Sequence, residues 1–260
     1  MTSLTIAPYD SGVNLEGTPG ADTLIGTNLA DTLNGLGGDD WLYGREGYDK
    51  LQGGAGDDVL YGDAGFDVLY GNDGNDFLLG SLDPDYLFGG KSDDFLRGGK
   101  ERDALVGDAG NDTLVGDLDV DSLWGGAGTD VFILRHDTAA PPQVLGTPDL
   151  ITDGDPLQRL DTVVADVILD YRVEEGDRIG LTGGLSADDL ILTRRFLTVG
   201  DARDYATDGP YPPNAPPRTL DFRITTFAAT IIQIAGTGDI LGIVKEVEPA
   251  DLQFISLTDV

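Results

Sequence analysis

The chain has 260 residues, of which 47 are acidic and 16 basic, for a formal net charge of −31. That balance excludes nucleic acid as a partner, because phosphate binding needs clustered Lys and Arg, and it argues against an anionic membrane surface. With no Cys and a single His, His136, there is no disulfide framework, no thiolate or His-built zinc site and no metalloprotease motif, and a Ser-His-Asp triad would have to rest on that one residue.

The N-terminal stretch MTSLTIAPYDSGVNLEG lacks a basic start and an apolar segment, so it does not read as a secretory signal peptide. No apolar run approaches the roughly 18 residues that would span a bilayer. Residues 1–16 read as a lead-in. From Gly17 to Ile133 the chain divides without a gap into thirteen nonapeptides, from GTPGADTLI through GGAGDDVLY to GGAGTDVFI. Gly holds the first position in every unit. Asp holds the sixth: Asp22, Asp31, Asp40, Asp49, Asp58, Asp67, Asp76, Asp85, Asp94, Asp103, Asp112, Asp121 and Asp130. The eighth is Leu in twelve units and Phe132 in the last.

Each unit reads as a turn followed by a short strand. Gly at the first position, and often at the second and fourth, is expected to permit positive φ and a tight loop. The last three residues alternate, so the Leu faces one side and its neighbours the other. One loop and one strand per unit means that two units close a turn. The expected solid is an all-β, right-handed parallel roll with 18 residues per turn and Leu filling the space between two sheets. At ~4.8 Å per strand it would be roughly 30 Å long.

The array carries 24 acidic and 6 basic residues, and its Asp side chains stack on the same edges, where they repel. The compensating charge must come from solution. Carboxylates and backbone carbonyls in adaptable loops suit Ca²⁺, with Mg²⁺ a second choice because it dehydrates reluctantly.

The pattern resembles the RTX family, whose nonapeptide is G-G-x-G-x-D-x-U-x and whose fold is a Ca²⁺-bound parallel β-roll. The resemblance implies that each ion sits between one loop and the loop a full turn later. The first loop gives carbonyls of positions 2 and 4, the next those of positions 1 and 3, and both give their Asp, so that an inner Asp bridges two ions. On the odd-numbered units this implicates Thr18 and Gly20, then Gly35, Leu36, Gly37 and Gly38, then Gly53, Gly54, Ala55 and Gly56. Further along it implicates Gly71, Asn72, Asp73 and Gly74, then Gly89, Gly90, Lys91 and Ser92, then Gly107, Asp108, Ala109 and Gly110, and finally Gly125 and Ala127.

The odd loops keep Gly at position 4 in six of seven units. In the even loops Leu29, Asp83, Glu101 and Asp119 replace it. The odd edge is therefore expected to be filled with ions and the even edge only in part, giving six to eleven Ca²⁺. Outer-face aromatics (Trp41, Tyr43, Tyr61, Phe77 and Phe95 on one sheet, Tyr70, Tyr86, Phe88 and Trp124 on the other) are expected to stack in ladders.

Residues 134–260 read as a β-rich cap that covers one of the two sheets. A Pro-rich loop from His136 to Leu160 precedes strand-like runs at Val163–Leu169, Arg178–Leu181, Leu190–Thr198, Leu220–Phe227, Thr230–Ala235 and Ile240–Val247. A helix start is expected at Ser186–Asp189, a helical turn at Glu248–Leu252 and an exposed Pro-rich loop across Pro210–Pro217. The run from Asp170-Tyr171 to Gly176-Asp177-Arg178-Ile179 and Leu181 resembles the segment that follows β-rolls in secreted proteases and haemolysin-like proteins. The stretch GTGDILGIVKEVEPADL resembles the ends of cyanobacterial calcium-binding repeat proteins. No catalytic constellation is evident: His136 reads as a surface residue and the cluster Asp149, Asp153, Asp155 as a solvated loop.

The expected function is that of a non-catalytic secreted calcium-binding protein, structural or adhesive at the cell surface. It would fold on binding Ca²⁺, export through type I secretion machinery, and meet a cell-surface or polysaccharide component or a second copy of itself. The alternative is a carbohydrate-directed module or an enzyme of polysaccharide metabolism.

Overall fold

The computed structural model describes residues 3–4, 12–135, 166–200, 224–235 and 240–257; the expectations on His136, on the Asp149 cluster and on both Pro-rich loops lie outside them. The chain is all-β, a parallel solenoid of about 7 turns. One sheet has ten strands, in the order β1 (Ser3–Leu4), β3 (Thr23–Ile25), β5 (Trp41–Glu46), β7 (Val59–Ala64), β9 (Phe77–Leu82), β11 (Phe95–Gly99), β13 (Thr113–Asp117), β15 (Val131–Leu134), β17 (Arg178–Leu181) and β21 (Phe254–Ser256). The other has eleven, in the order β18 (Leu190–Gly200), β19 (Ile224–Ile234), β20 (Ile240–Lys245), β16 (Asp166–Ile168), β14 (Ser122–Ala127), β12 (Ala104–Ala109), β10 (Tyr86–Lys91), β8 (Val68–Asp73), β6 (Lys50–Ala55), β4 (Thr32–Asn34) and β2 (Asn14–Glu16).

Within the repeats the paired strand residues lie 18 positions apart: Thr23 with Trp41, Lys50 with Val68, Phe95 with Thr113. Most of these strands are longer than the three residues expected, since pairing runs on into positions 1–3 of the next loop. The position-8 side chains form one buried column from Leu24 to Phe132. Contact between two sheets of Leu is the main apolar contribution, at about 2 kcal/mol per fully buried side chain.

The column outlasts the repeats at both ends. Leu15 pairs with Leu33 in front. Behind, Ile168 continues from Leu123 and Ile179 from Phe132, and Val244 and Phe254 follow in the next turn. The C-terminal strands thus join the sheet edges and lengthen the roll. Toward the C-terminal end the outward-facing Val115 and Ile133 are buried, at 2% and 3%, while Trp41 nearer the other end is 46% exposed. Among the described residues the parallel pattern breaks at β19, which pairs antiparallel with both β18 and β20. The described part of the predicted run Leu220–Phe227 and most of the run Thr230–Ala235 belong to the single strand β19, Ile224–Ile234. The predicted helix start at Ser186 is a one-turn 3-10 helix whose capping box joins Ser186 to Asp189, and a second 3-10 turn spans Pro249–Asp251.

The outer aromatics stack as expected. Tyr43 and Tyr61 have centroids 5.2 Å apart and planes 1° apart, Phe77 and Phe95 5.1 Å and 0°, and Tyr70 and Phe88 5.0 Å and 10°. On the even edge Tyr48, Phe66 and Tyr86 meet edge to face instead.

Candidate metal centre

The glycine loops place the thirteen repeat aspartates in two buried rows, one along each edge of the roll. None is more than 5% exposed. From the second Asp of each row on, every carboxylate is held in the same way: its Oδ1 accepts the backbone N–H of the Asp one turn earlier. Asp22 N–H donates to Asp40 Oδ1 at 2.7 Å, Asp58 to Asp76 at 2.8 Å and Asp85 to Asp103 at 2.8 Å. The row is therefore built by backbone geometry, and the side chain cannot swing away without breaking a buried hydrogen bond.

The invariant first-position glycines have a different cause from the one expected. None of them has positive φ. A Cβ there would overlap the Oδ2 of the unit's own Asp and the carbonyl of the next turn: on Gly71 it would meet Asp76 Oδ2 and lie 2.6 Å from Gly89 O. First-position Gly makes room for the carboxylate. From the third repeat on, positive φ belongs to positions 2 and 4, whichever residue stands there. Leu36 (74°), Arg45 (84°) and Asn72 (80°) adopt it at position 2, and Ser92 (79°) at position 4. The drifted even loops keep it too, at Asp83 (71°), Glu101 (73°) and Asp119 (80°). Such a conformation costs a non-Gly residue ~1 kcal/mol or more, so the loop shape persists on the even edge even where the sequence disfavours it; Leu29 is the exception.

The second oxygen of each carboxylate tells more. Eleven buried Oδ2 atoms have no hydrogen-bond partner: those of Asp40, Asp58, Asp76, Asp94, Asp112 and Asp130 on the odd edge and of Asp49, Asp67, Asp85, Asp103 and Asp121 on the even edge. Six and five are also the numbers of gaps between successive repeat loops on the two edges. The first Asp of each row is different. Thr18 gives Asp22 Oδ2 its N–H at 2.6 Å and its hydroxyl at 2.8 Å, and Thr27 serves Asp31 Oδ2 likewise.

Buried carboxylates without a cation resist ionisation. Desolvation raises Asp76 and Asp112 to about 6, Asp58 and Asp130 to about 7, Asp94 to about 8, Asp67 to about 9 and Asp103 to about 10, with the backbone N–H of the preceding Asp pulling the other way. Neighbouring carboxylates of the same row push further up, as Asp121 and Asp85 do to Asp103. An orphaned buried oxygen in every gap, with a carboxylate of raised pKa, is what a hard divalent cation would satisfy; the donor set is all oxygen, which suits Ca²⁺. Among the described residues no three acidic or His side chains converge on one point, so carbonyls would have to supply most of the coordination.

Some of the predicted carbonyl donors are engaged between successive loops of the odd edge. Several already accept a loop-to-loop hydrogen bond: Ala55 O from Gly38 N at 2.7 Å, Asp73 O from Gly56 N at 2.9 Å, Leu36 O from Ala55 N at 3.2 Å. Each keeps a second lone pair.

Two further aspartates continue the rows, and counting nonapeptides misses them. Asp177 Oδ1 accepts Asp130 N–H at 3.0 Å, and Asp166 Oδ1 stands 3.4 Å from Asp121 N. Both are buried. Their signal was the second half of the motif alone: Asp166-Val-Ile-Leu and Asp177-Arg-Ile-Gly repeat positions 6 to 9 without a glycine loop in front.

Outside the rows the two edges differ. At position 5 the odd edge carries an exposed polar ladder, with Asn75 N–H on Asp57 Oδ1 at 2.8 Å, Asp93 N–H on Asn75 Oδ1 at 3.1 Å, Asn111 N–H on Asp93 Oδ1 at 2.8 Å and Thr129 N–H on Asn111 Oδ1 at 2.9 Å. The even edge carries Tyr48, which is 73% exposed, and Phe66.

A search of the curated proteins gives no match. A family model described as RTX calcium-binding nonapeptide repeat (4 copies) matches residues 16–51, 34–69, 52–87, 70–105 and 98–132. With the period, the roll and the two carboxylate rows all in agreement, residues 16–132 of the chain belong to the RTX calcium-binding nonapeptide repeats.

Proposed function

We propose that this chain is a secreted, non-catalytic protein whose roll assembles around Ca²⁺, with one ion in each of the eleven gaps between repeat loops, and that it serves a structural or adhesive role at the cell surface. The observation that carries the reading is the set of eleven buried Oδ2 atoms without partners. Metal that binds the folded chain alone stabilises it by mass action, so folding would wait until the chain reaches the higher calcium outside the cell. Among the described residues no helix is long and apolar enough to cross a membrane.

Filling all the gaps, rather than mainly the odd ones, follows from the orphaned oxygens on both edges and from the preserved positive φ of Asp83, Glu101 and Asp119. Calorimetric ion counts and thermal midpoints in saturating Ca²⁺ test it on Asp76→Ala and Asp85→Ala, one on each edge. Both variants should lose ions and fall by similar amounts, since each removes a carboxylate that faces two gaps. A mild Asp85→Ala beside a crippled Asp76→Ala would restrict the ions to the odd edge.

The half-buried aromatic ladders do not favour the carbohydrate-directed alternative. Sugars stack on open ring faces, whereas Tyr43, Tyr61, Phe77 and Phe95 cover each other's faces pairwise.

A further inference from the structure

The odd edge has one more gap than the repeats provide, between the last repeat loop, 125–130, and the segment Asp170–Asp177 that follows it in the stack. The register pairs Val131 with Arg178, so Asp177 takes the place of the motif Asp and Arg172 falls at the first position, which is Gly in all thirteen repeats. We propose that the Arg172 guanidinium is the resident cation of this gap, so that the odd ion row ends at Asp130 and the roll is closed there without metal.

Four observations lead to this. First, the charge is already balanced locally: Arg172 lies 3.5 Å from Asp170 and 3.3 Å from Glu175. Its own pKa is raised although desolvation works against it, because Asp170, Glu175 and Asp177 surround it. Second, the Oδ2 that is orphaned in every interior gap is satisfied here: Asp177 Oδ2 accepts the backbone N–H of Arg172 at 2.6 Å.

Third, the carbonyl that a repeat loop would turn toward an ion is used up. Residues 172–177 form a closed turn in which Arg172 O accepts Glu175 N–H at 3.2 Å and Asp177 N–H at 3.3 Å, and Val173 O accepts Gly176 N–H at 3.2 Å. Positive φ sits at Gly176, the fifth position, rather than at the second and fourth. Fourth, the N–H groups of the last repeat loop meet anions. In the interior, Gly56 and Gly110 donate to carbonyls one turn on. Here Gly125 N–H donates to Asp170 Oδ1 at 2.8 Å, Gly126 N–H to Asp170 Oδ2 at 3.2 Å and Gly128 N–H to Glu175 Oε2 at 2.9 Å. The half-buried Asp170 and Glu175 carboxylates are paired with the resident guanidinium, so their charge needs no ion from solution. Tyr171 ties the turn to the next strand, its hydroxyl donating to Asp177 O at 2.5 Å and accepting Gln253 N–H at 2.9 Å.

The inference rests on the reading that the interior gaps hold Ca²⁺. The test is the number of ions bound by the full chain, by calorimetry or native mass spectrometry in Ca²⁺, with thermal midpoints alongside. Asp177→Asn should keep the wild-type count, whereas Asp130→Asn should lower it. Arg172→Gln should keep the count and lower the calcium-loaded midpoint by roughly 3–6 °C, and Arg172→Lys should restore most of that. Loss of an ion in Asp177→Asn, or an unchanged midpoint in Arg172→Gln, overturns the proposal. Should Asp177→Asn fail to fold, Glu175→Gln serves the same count, with the same two outcomes. A wild-type chain that binds no Ca²⁺ would instead sink the calcium reading itself.

Discussion

In excess chelator the roll should be absent at neutral pH and should reappear on acidification. The cause is the raised pKa of the buried rows. A carboxylate raised from 3.8 to between about 6 and about 10, as along Asp76, Asp58, Asp94, Asp67 and Asp103, binds more protons folded than unfolded across that window. Stability then falls as pH rises. The metal-free fold keeps its full share below about pH 4 and loses it progressively through pH 6 to 10. Calcium reverses the balance by taking the same oxygens in their charged form, so its affinity should drop as pH falls below about 6 and protons compete. Far-ultraviolet circular dichroism from pH 3.5 to 8, with chelator and then with Ca²⁺, measures both. The protein must be dilute, because the isoelectric point is near 4.1. A chelated chain whose β signal is flat or grows with pH would show that the rows are not the source of the calcium requirement.

The second large effect concerns glycines that look alike in the sequence. Gly71→Ala places a methyl onto Asp76 Oδ2 and against the Gly89 carbonyl in the middle of the stack. Both neighbours are fixed, one by the Asp58 N–H and the other by the sheet. Overpacking of this kind costs about 1–3 kcal/mol, and displacing the carboxylate would add the loss of its two gaps. Gly37→Ala is the control: its nearest neighbour is Ala55 O at 3.4 Å and its φ is ordinary. Thermal midpoints in saturating Ca²⁺ should fall steeply for Gly71→Ala and hold within about 0.5 kcal/mol for Gly37→Ala, as for other unconstrained surface changes. Equal losses would return the first-position glycines to a purely conformational role.

These glycines also show how far the sequence could be read. The period of nine gave the roll, the 18-residue register, the Leu column and the buried Asp rows, because all of them follow from a strand period of two and a loop that repeats. Which glycine served which purpose did not follow, since a need for room and a need for positive φ both select Gly. The even-edge drift was visible, but not that Asp83, Glu101 and Asp119 hold the loop in its original shape. Asp166 escaped because half a motif has no frame to announce it, and Asp177 was read only as part of the segment that follows the roll; the pairing of Ser122 with Val167 and of Val131 with Arg178 puts both in line with the rows. The C-terminal strands were located fairly well, yet their parallel attachment to both sheet edges depends on contacts across more than 40 residues.

The 18-residue register has a consequence for how such an array can change length. Removing two neighbouring repeats shortens the stack by one turn and leaves every remaining Asp beneath an Asp and every Leu beneath a Leu. Removing one repeat also keeps those columns, since every unit shares them, but it exchanges the edges for everything downstream. Loss of the repeat 53–61 would set Asn75 one turn after Tyr48, loss of 71–79 would set Asp93 one turn after Phe66, and either would bring Asp166 to the edge that Asp177 closes. Gain and loss in this gene should therefore be tolerated in steps of 54 nucleotides and selected against in steps of 27.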